Sequence, residues 1–269
     1  MQNKCYRYMI MGLAVCAVML MPWHRAFARH QATVLLNTGQ EIPGEVRFLP
    51  ASRSYEIRVG DRTREVRAAD VAEVTLDREP EGFSRALRDV EQRRYQQAIP
   101  ILSSIVEDYA MFGPDREAGK ALILAYLRTD RSSDALRTAE TLIRRDSGIG
   151  QNPEFAAVYW EALLDEERLS TLRTSIREAI QSGSRDLAAV GLLRRGDLEM
   201  REGHYREALV NGYLRVVLLF QDVGFAQPEA LYKAIRAHEE LNEVTYAERW
   251  RQRLLSSHAT SEFAQRLRD

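Results

Sequence analysis

Gly203-His204-Tyr205-Arg206-Glu207-Ala208-Leu209 sets a turn-forming glycine five residues ahead of an alanine that opens a helix. Working outward from Ala208, the same helix-opening position recurs at Ala98, Ala135, Leu172 and Ala247. The intervals are 37, 37, 36 and 39 residues, and Leu172 is the one large side chain among them. A period in the thirties marks a helical solenoid, in which each hairpin hides its apolar face only against its neighbours. Five hairpins follow over residues 83–257: 83–91 with 94–109, 116–128 with 132–145, 154–165 with 167–182, 187–201 with 204–220, and 228–241 with 244–256. A short tail helix over 261–267 is expected to cover the open end. Pro114, Pro153 and Pro228 stand where first helices begin, a place where a missing N–H is harmless. Gly203 and Asn242 fall in within-hairpin turns, as residues that tolerate left-handed backbone.

Upstream of the hairpins the period changes. Thr33–Leu36, Ile42–Phe48, Tyr55–Val59, Thr63–Val66 and Ala72–Leu76 read as short strands, with alternation clearest in Ile42/Gly44/Val46/Phe48 and Tyr55/Ile57/Val59. Asn37-Thr38-Gly39, Pro50-Ala51-Ser52 and Gly60-Asp61 separate them, and Ala68-Ala69-Asp70 reads as one helical turn. So few short strands cannot make two packed sheets, and a single curled sheet leaves edges open, so a small closed barrel is expected. The fold class is therefore α+β: a five-stranded β-barrel over 29–78, then an α-solenoid over 83–269, joined by the polar Arg78-Glu79-Pro80-Glu81.

The first 28 residues read as a secretory signal peptide. Lys4 and Arg7 precede an apolar run from Met9 to Trp23, and Ala26-Phe27-Ala28 fits the small-x-small cleavage rule. The expected product is exported and periplasmic. Leu13-Ala14-Val15-Cys16 leaves a lipoprotein reading open, so membrane association would run through an uncleaved leader or lipidation at Cys16. Both cysteines, Cys5 and Cys16, lie in this leader, so the mature chain holds together by its core without disulfides. Formal net charge is −1. Without Lys4, Arg7 and Arg25 the chain carries 35 basic against 39 acidic residues, or −4, which supplies no electrostatic drive toward nucleic acid.

The hairpins resemble tetratricopeptide repeats. Gly203, Tyr205 and Ala208 form that family's Gly-x-Tyr-x-x-Ala core, Leu124-Ala125-Tyr126 precedes Ala135 at the family's spacing, and Tyr95 precedes Ala98 in the same way. Helices cross closely at the alanine, and a larger residue there would push them apart. Leu172 departs from the pattern, as does Gly212, where the family carries a bulky residue. The likeness is nearest to exported bacterial members of envelope-assembly type. It implies a concave face lined by the first helix of each hairpin, which places Lys120, Glu161, Asp197, Tyr232 and Arg236 as partner-binding residues. The strand region resembles the Sm-like small barrels, but those barrels' RNA-binding residues have no match here.

Chemistry-bearing patterns are sparse. His30, His204, His238 and His258 do not pair at metal-ligand spacing, and no cysteine completes a zinc site, so neither metal nor cofactor is expected. No Gly-x-Ser-x-Gly elbow is present, Gly148-Ile149-Gly150 is too short for a dinucleotide loop, and Asp165-Glu166-Glu167 reads as a solvated turn. The doublets Arg93-Arg94, Arg144-Arg145 and Arg194-Arg195 read as solvated helix faces. The expected function is a non-enzymatic envelope scaffold holding envelope proteins. Two other readings stand beside it: a peptidoglycan or polysaccharide reader, with Phe48 and Tyr55 as sugar-stacking aromatics, and an accessory subunit of an envelope enzyme.

Overall fold

The computed structural model describes residues 28–268. The leader and Cys16 lie outside the described residues, apart from Ala28. Strands β1 (His30–Leu36), β2 (Glu41–Leu49), β3 (Ser54–Val59), β4 (Arg62–Arg67) and β5 (Val71–Leu76) form one antiparallel sheet in the order β4-β3-β2-β1-β5. Register follows the alternation: Val34 faces Ile42 on one side and Val74 on the other, and Phe48 faces Tyr55. Ala32, Val34, Val46, Phe48, Tyr55 and Ile57 are thereby buried on one face.

The expected barrel does not close. β4 and β5 are the two ends of the sheet and do not pair with each other. Closure is one way to cover an apolar face, and this chain uses another. Phe112, from the turn after the second helix, is buried in the sheet's core, with Tyr109 and Met111 packed against it. The Tyr55 hydroxyl donates to the Met111 carbonyl at 2.6 Å, and the His30 ring stacks on Tyr109 at 4.0 Å. Asp115 fixes that turn by accepting the N–H groups of Met111 (2.9 Å) and Gly113 (3.2 Å). The sheet's core is thus completed by residues outside 29–78, and the open β4 edge carries Arg62, Arg64 and Arg67, charges that discourage strand addition.

Helices α1 (Phe83–Glu91) and α2 (Tyr95–Asp108), α3 (Pro114–Leu127) and α4 (Ser132–Arg145), and α5 (Pro153–Asp165) and α6 (Leu169–Gln181) are successive hairpins. α7 (Arg185–Arg201) returns through α8 (Tyr205–Ala208), a π turn (Leu209–Tyr213) and α9 (Leu214–Leu219). α10 (Gln227–Glu240) and α11 (Val244–Ser257) form the last hairpin, and α12 (Glu262–Arg266) is the tail. The five periodic positions, Ala98, Ala135, Leu172, Ala208 and Ala247, are all buried.

The turns repeat as strictly as the alanines. Arg93, Asp130, Glu167, Gly203 and Asn242 have φ of 61°, 55°, 56°, 78° and 57°, each five residues before its periodic partner. In every turn the next N–H reaches the carbonyl five residues back: Arg94 to Asp89, Arg131 to Tyr126, Arg168 to Leu163, His204 to Glu199 and Glu243 to His238. This is the Schellman closure of a helix end, made with glycine only once. The sequence signal caught Gly203 and Asn242; Asp130 is a residue that tolerates that conformation, while Arg93 and Glu167 have no preference for it.

Candidate functional site: the inner groove

First helices of all five hairpins meet at one groove with a cavity of about 350 Å³. Its floor is apolar, with Leu87 and Val90 from α1, Leu124 from α3, and Ala157 and Val158 from α5. Its charged wall comes from Lys120, Arg128, Glu161, Arg194 and Glu229. The tail helix packs against the last hairpin, with Ala264 in one apolar cluster with residues of α10 and α11, and its Glu262 and Phe263 also line this groove. Arg128, at the end of α3, donates to Glu161 at 2.7 Å and to Glu262 of α12 at 2.6 Å, joining residues 134 positions apart. Ala264 of α12 is fully buried, and Phe263 lies 5.7 Å, ring to ring, from Tyr232.

Behind the wall is a buried ionic network. Arg194, only 1% exposed, pairs with Asp197 and with Glu229 (2.7 Å), and Lys233 bridges the same two carboxylates at 2.6 and 2.7 Å. The Arg194-Arg195 doublet is therefore not a wholly solvated face. Desolvation works against the Arg194 charge, but Glu229, Asp197 and Glu161 prevail and hold its pKa well above the usual guanidinium value. Burial likewise opposes ionised Glu229, yet Arg194 and Lys233 hold its pKa well below the ordinary carboxylate range. Glu262 is also lowered, its burial outweighed by Arg128 and Arg266. Asp165 moves the other way, raised by burial and by the neighbouring Glu161.

The departure at Gly212 has a geometric reason. A Cβ there would come within 2.6 Å of the Gly196 Cα, and a Cβ on Gly196 would come within 2.5 Å of the Tyr213 ring. Two helical backbones meet at this glycine pair, and the π turn points Tyr213 inward, where its hydroxyl donates to Asp197 at 2.8 Å. Burial, then Asp197, raises the Tyr213 pKa, so it remains a protonated donor.

The expected partner-binding residues scatter. Lys120 and Glu161 line the groove, paired respectively with Glu154 and Arg128. Tyr232 is half-buried against the tail helix. Asp197 is buried in the network, and Arg236 is exposed, paired with Glu239 at 2.6 Å. Arg128, Glu229, Lys233 and Glu262 were not singled out from the sequence. Charged residues at helical spacing look alike whether they face water or each other; Arg194 with Asp197 at i+3, behind Leu192-Leu193, was the one local hint. The sheet's Phe48 and Tyr55 are 3% and 4% exposed and pack on each other at 5.2 Å, so neither ring offers a sugar-stacking face.

Glu199, Glu202 and His204 bring three ligand-type atoms within 4.8 Å of one another on the α7–α8 turn. Glu202 and His204 are exposed and Glu199 half-buried, His204 already contacts Glu199 at 3.2 Å, and Arg173 takes Glu202 at 2.7 Å. No protein-family model matches the chain, and no curated protein matches it.

Proposed function

We propose that this protein is a non-enzymatic scaffold of tetratricopeptide type, exported to the envelope, that grips a partner protein by a protruding segment laid in the inner groove. The observation that carries this reading is the assembly of one apolar-floored, charge-walled groove from the first helices of all five hairpins. Such a surface is already ordered, so binding costs little further conformational entropy. A cavity of about 350 Å³ accommodates a few side chains of a segment, not a broad globular face. The buried ionisable groups Arg194 and Glu229 are locked to each other, an arrangement that holds shape. Export rests on the leader over 1–28, and retention at a membrane would require that leader uncleaved or Cys16 lipidated.

The test is crosslinking in intact cells, comparing the native protein with Ala157→Trp, which fills the groove floor. One envelope protein should co-purify stoichiometrically with the native chain and be lost with the variant, while both melt alike. Recovery of the chain alone, or with cell-wall fragments only, overturns the reading. N-terminal sequencing of the same sample should give a start near Arg29.

A further inference from the structure

The charges on the groove wall do not cancel evenly. Each cation lining it is already paired within the molecule: Lys120 with Glu154, Arg128 with Glu161 and Glu262, Arg194 with Asp197 and Glu229. Two carboxylates are not. Glu91, at the end of α1, and Glu117, on α3, line the same groove, are exposed, and have no ion-pair partner among the described residues. Beside them lie Leu87 and Leu124, and Phe225 of the same cavity is 40% exposed.

We infer that the groove's occupant is a cationic amphipathic segment of a partner protein, with Arg or Lys side chains over Glu91 and Glu117 and apolar side chains on the floor between Leu87 and Leu124. This rests on the groove reading above and adds the chemistry of the partner. An anionic segment meets two carboxylates whose charge nothing neutralises, and no lining cation is free to receive it without breaking an internal pair. A cationic segment leaves every internal pair intact. Its charge supplies orientation and association rate, and the apolar floor supplies area.

The experiment uses the purified protein and a labelled synthetic amphipathic peptide of about 16 residues, long enough for partial helix formation. The peptide carries Arg on one face and Leu on the other, and a counterpart carries Glu in place of Arg. Fluorescence anisotropy should show saturable binding of the Arg peptide that weakens as salt rises, because the contributing charges are exposed. The double variant E91Q/E117Q should lose about 5- to 10-fold in affinity, the scale of two exposed ion pairs. Equal or tighter binding of the Glu peptide, or unchanged binding by the double variant, overturns the inference. Ala157→Trp separates the two levels. If it abolishes binding while E91Q/E117Q leaves it unchanged, the groove stands and the cationic partner falls; if neither variant alters binding, both fall. Both glutamates are exposed at helix surfaces, so matched melting curves confirm that the double variant is folded.

Discussion

From α1 to α6 the interior of the array is mostly apolar, carried by Leu102, Leu122, Leu142, Leu163 and Leu172, with Asp89 and Asp115 as its buried carboxylates. From α7 onward the same interior surrounds Arg194, Asp197 and Tyr213, with Lys233 and Glu229 closing the network. The backbone turns are the same in both halves, so the repeat does not require either kind of core. An apolar interior asks only that volumes fit. An ionic one asks that every charge find its partner, because one left alone pays the full desolvation penalty. The ionic half also reaches the groove, through Arg194 and Glu229, so that geometry at the groove wall depends on the interior behind it.

The strongest way to break this comparison is a shape-conserving substitution in each half. Arg194→Met leaves Lys233 as the one cation shared by buried Asp197 and Glu229 and should cost about 3–5 kcal/mol in denaturant unfolding, whereas Leu163→Met should cost under about 1.5 kcal/mol. Equal losses would mean that the network contributes no more than packing.

Acid should separate the halves next. Glu229 and Glu262 have folded pKa values below the usual range, so their stabilisation is present above about pH 4.3 and is lost as pH falls through the lowered values. Asp115 and Asp165, in the first half, are raised by burial, Asp165 also by Glu161; what they contribute is fully present at low pH and is lost as pH rises through their raised values. The second half should therefore loosen first on acidification. Trp160 in α5 and Trp250 in α11 report the two halves, each with the other changed to Phe. Fluorescence of Trp250 should change at the higher pH; coincident transitions would join the halves into one acid-sensitive unit.

Gly212→Ala sharpens the comparison at a single contact. The added methyl has no room against Gly196 and should destabilise by about 1–3 kcal/mol. Gly150→Ala, with nothing within 4 Å, should stay within about 0.5 kcal/mol of the native protein. The smallest effect tests what the halves share. Asp130→Gly places glycine in a left-handed turn, as Gly203 already does, and should raise stability by about 0.5–1 kcal/mol in thermal melts.

The ordered elements were legible because they depend on neighbours in sequence. Alternation located β1 to β5, and the recurring small residue located five hairpins to within a few positions. Pro114 and Pro153 open α3 and α5, as a missing N–H at a helix start permits. The groove was legible only in outline: first helices line it, but of the residues singled out only Lys120 and Glu161 face its cavity, with Tyr232 covered by the tail. Asp197 on α7 and Arg236 on α10 both belong to first helices that line the groove, yet one is buried and the other exposed, a difference set by what packs opposite.

The sequence by itself determined the periods: strands that alternate, hairpins that repeat, and a −4 balance over residues 29–269. These follow from local backbone preference and from counting, which need no partner in space. Tertiary structure alone decided that the sheet stays open, because Phe112 from another element covers its apolar face. It alone set Arg194 among carboxylates and drew α12 to Arg128, since a charge acquires its partner only when residues distant in the chain are brought within a few ångströms.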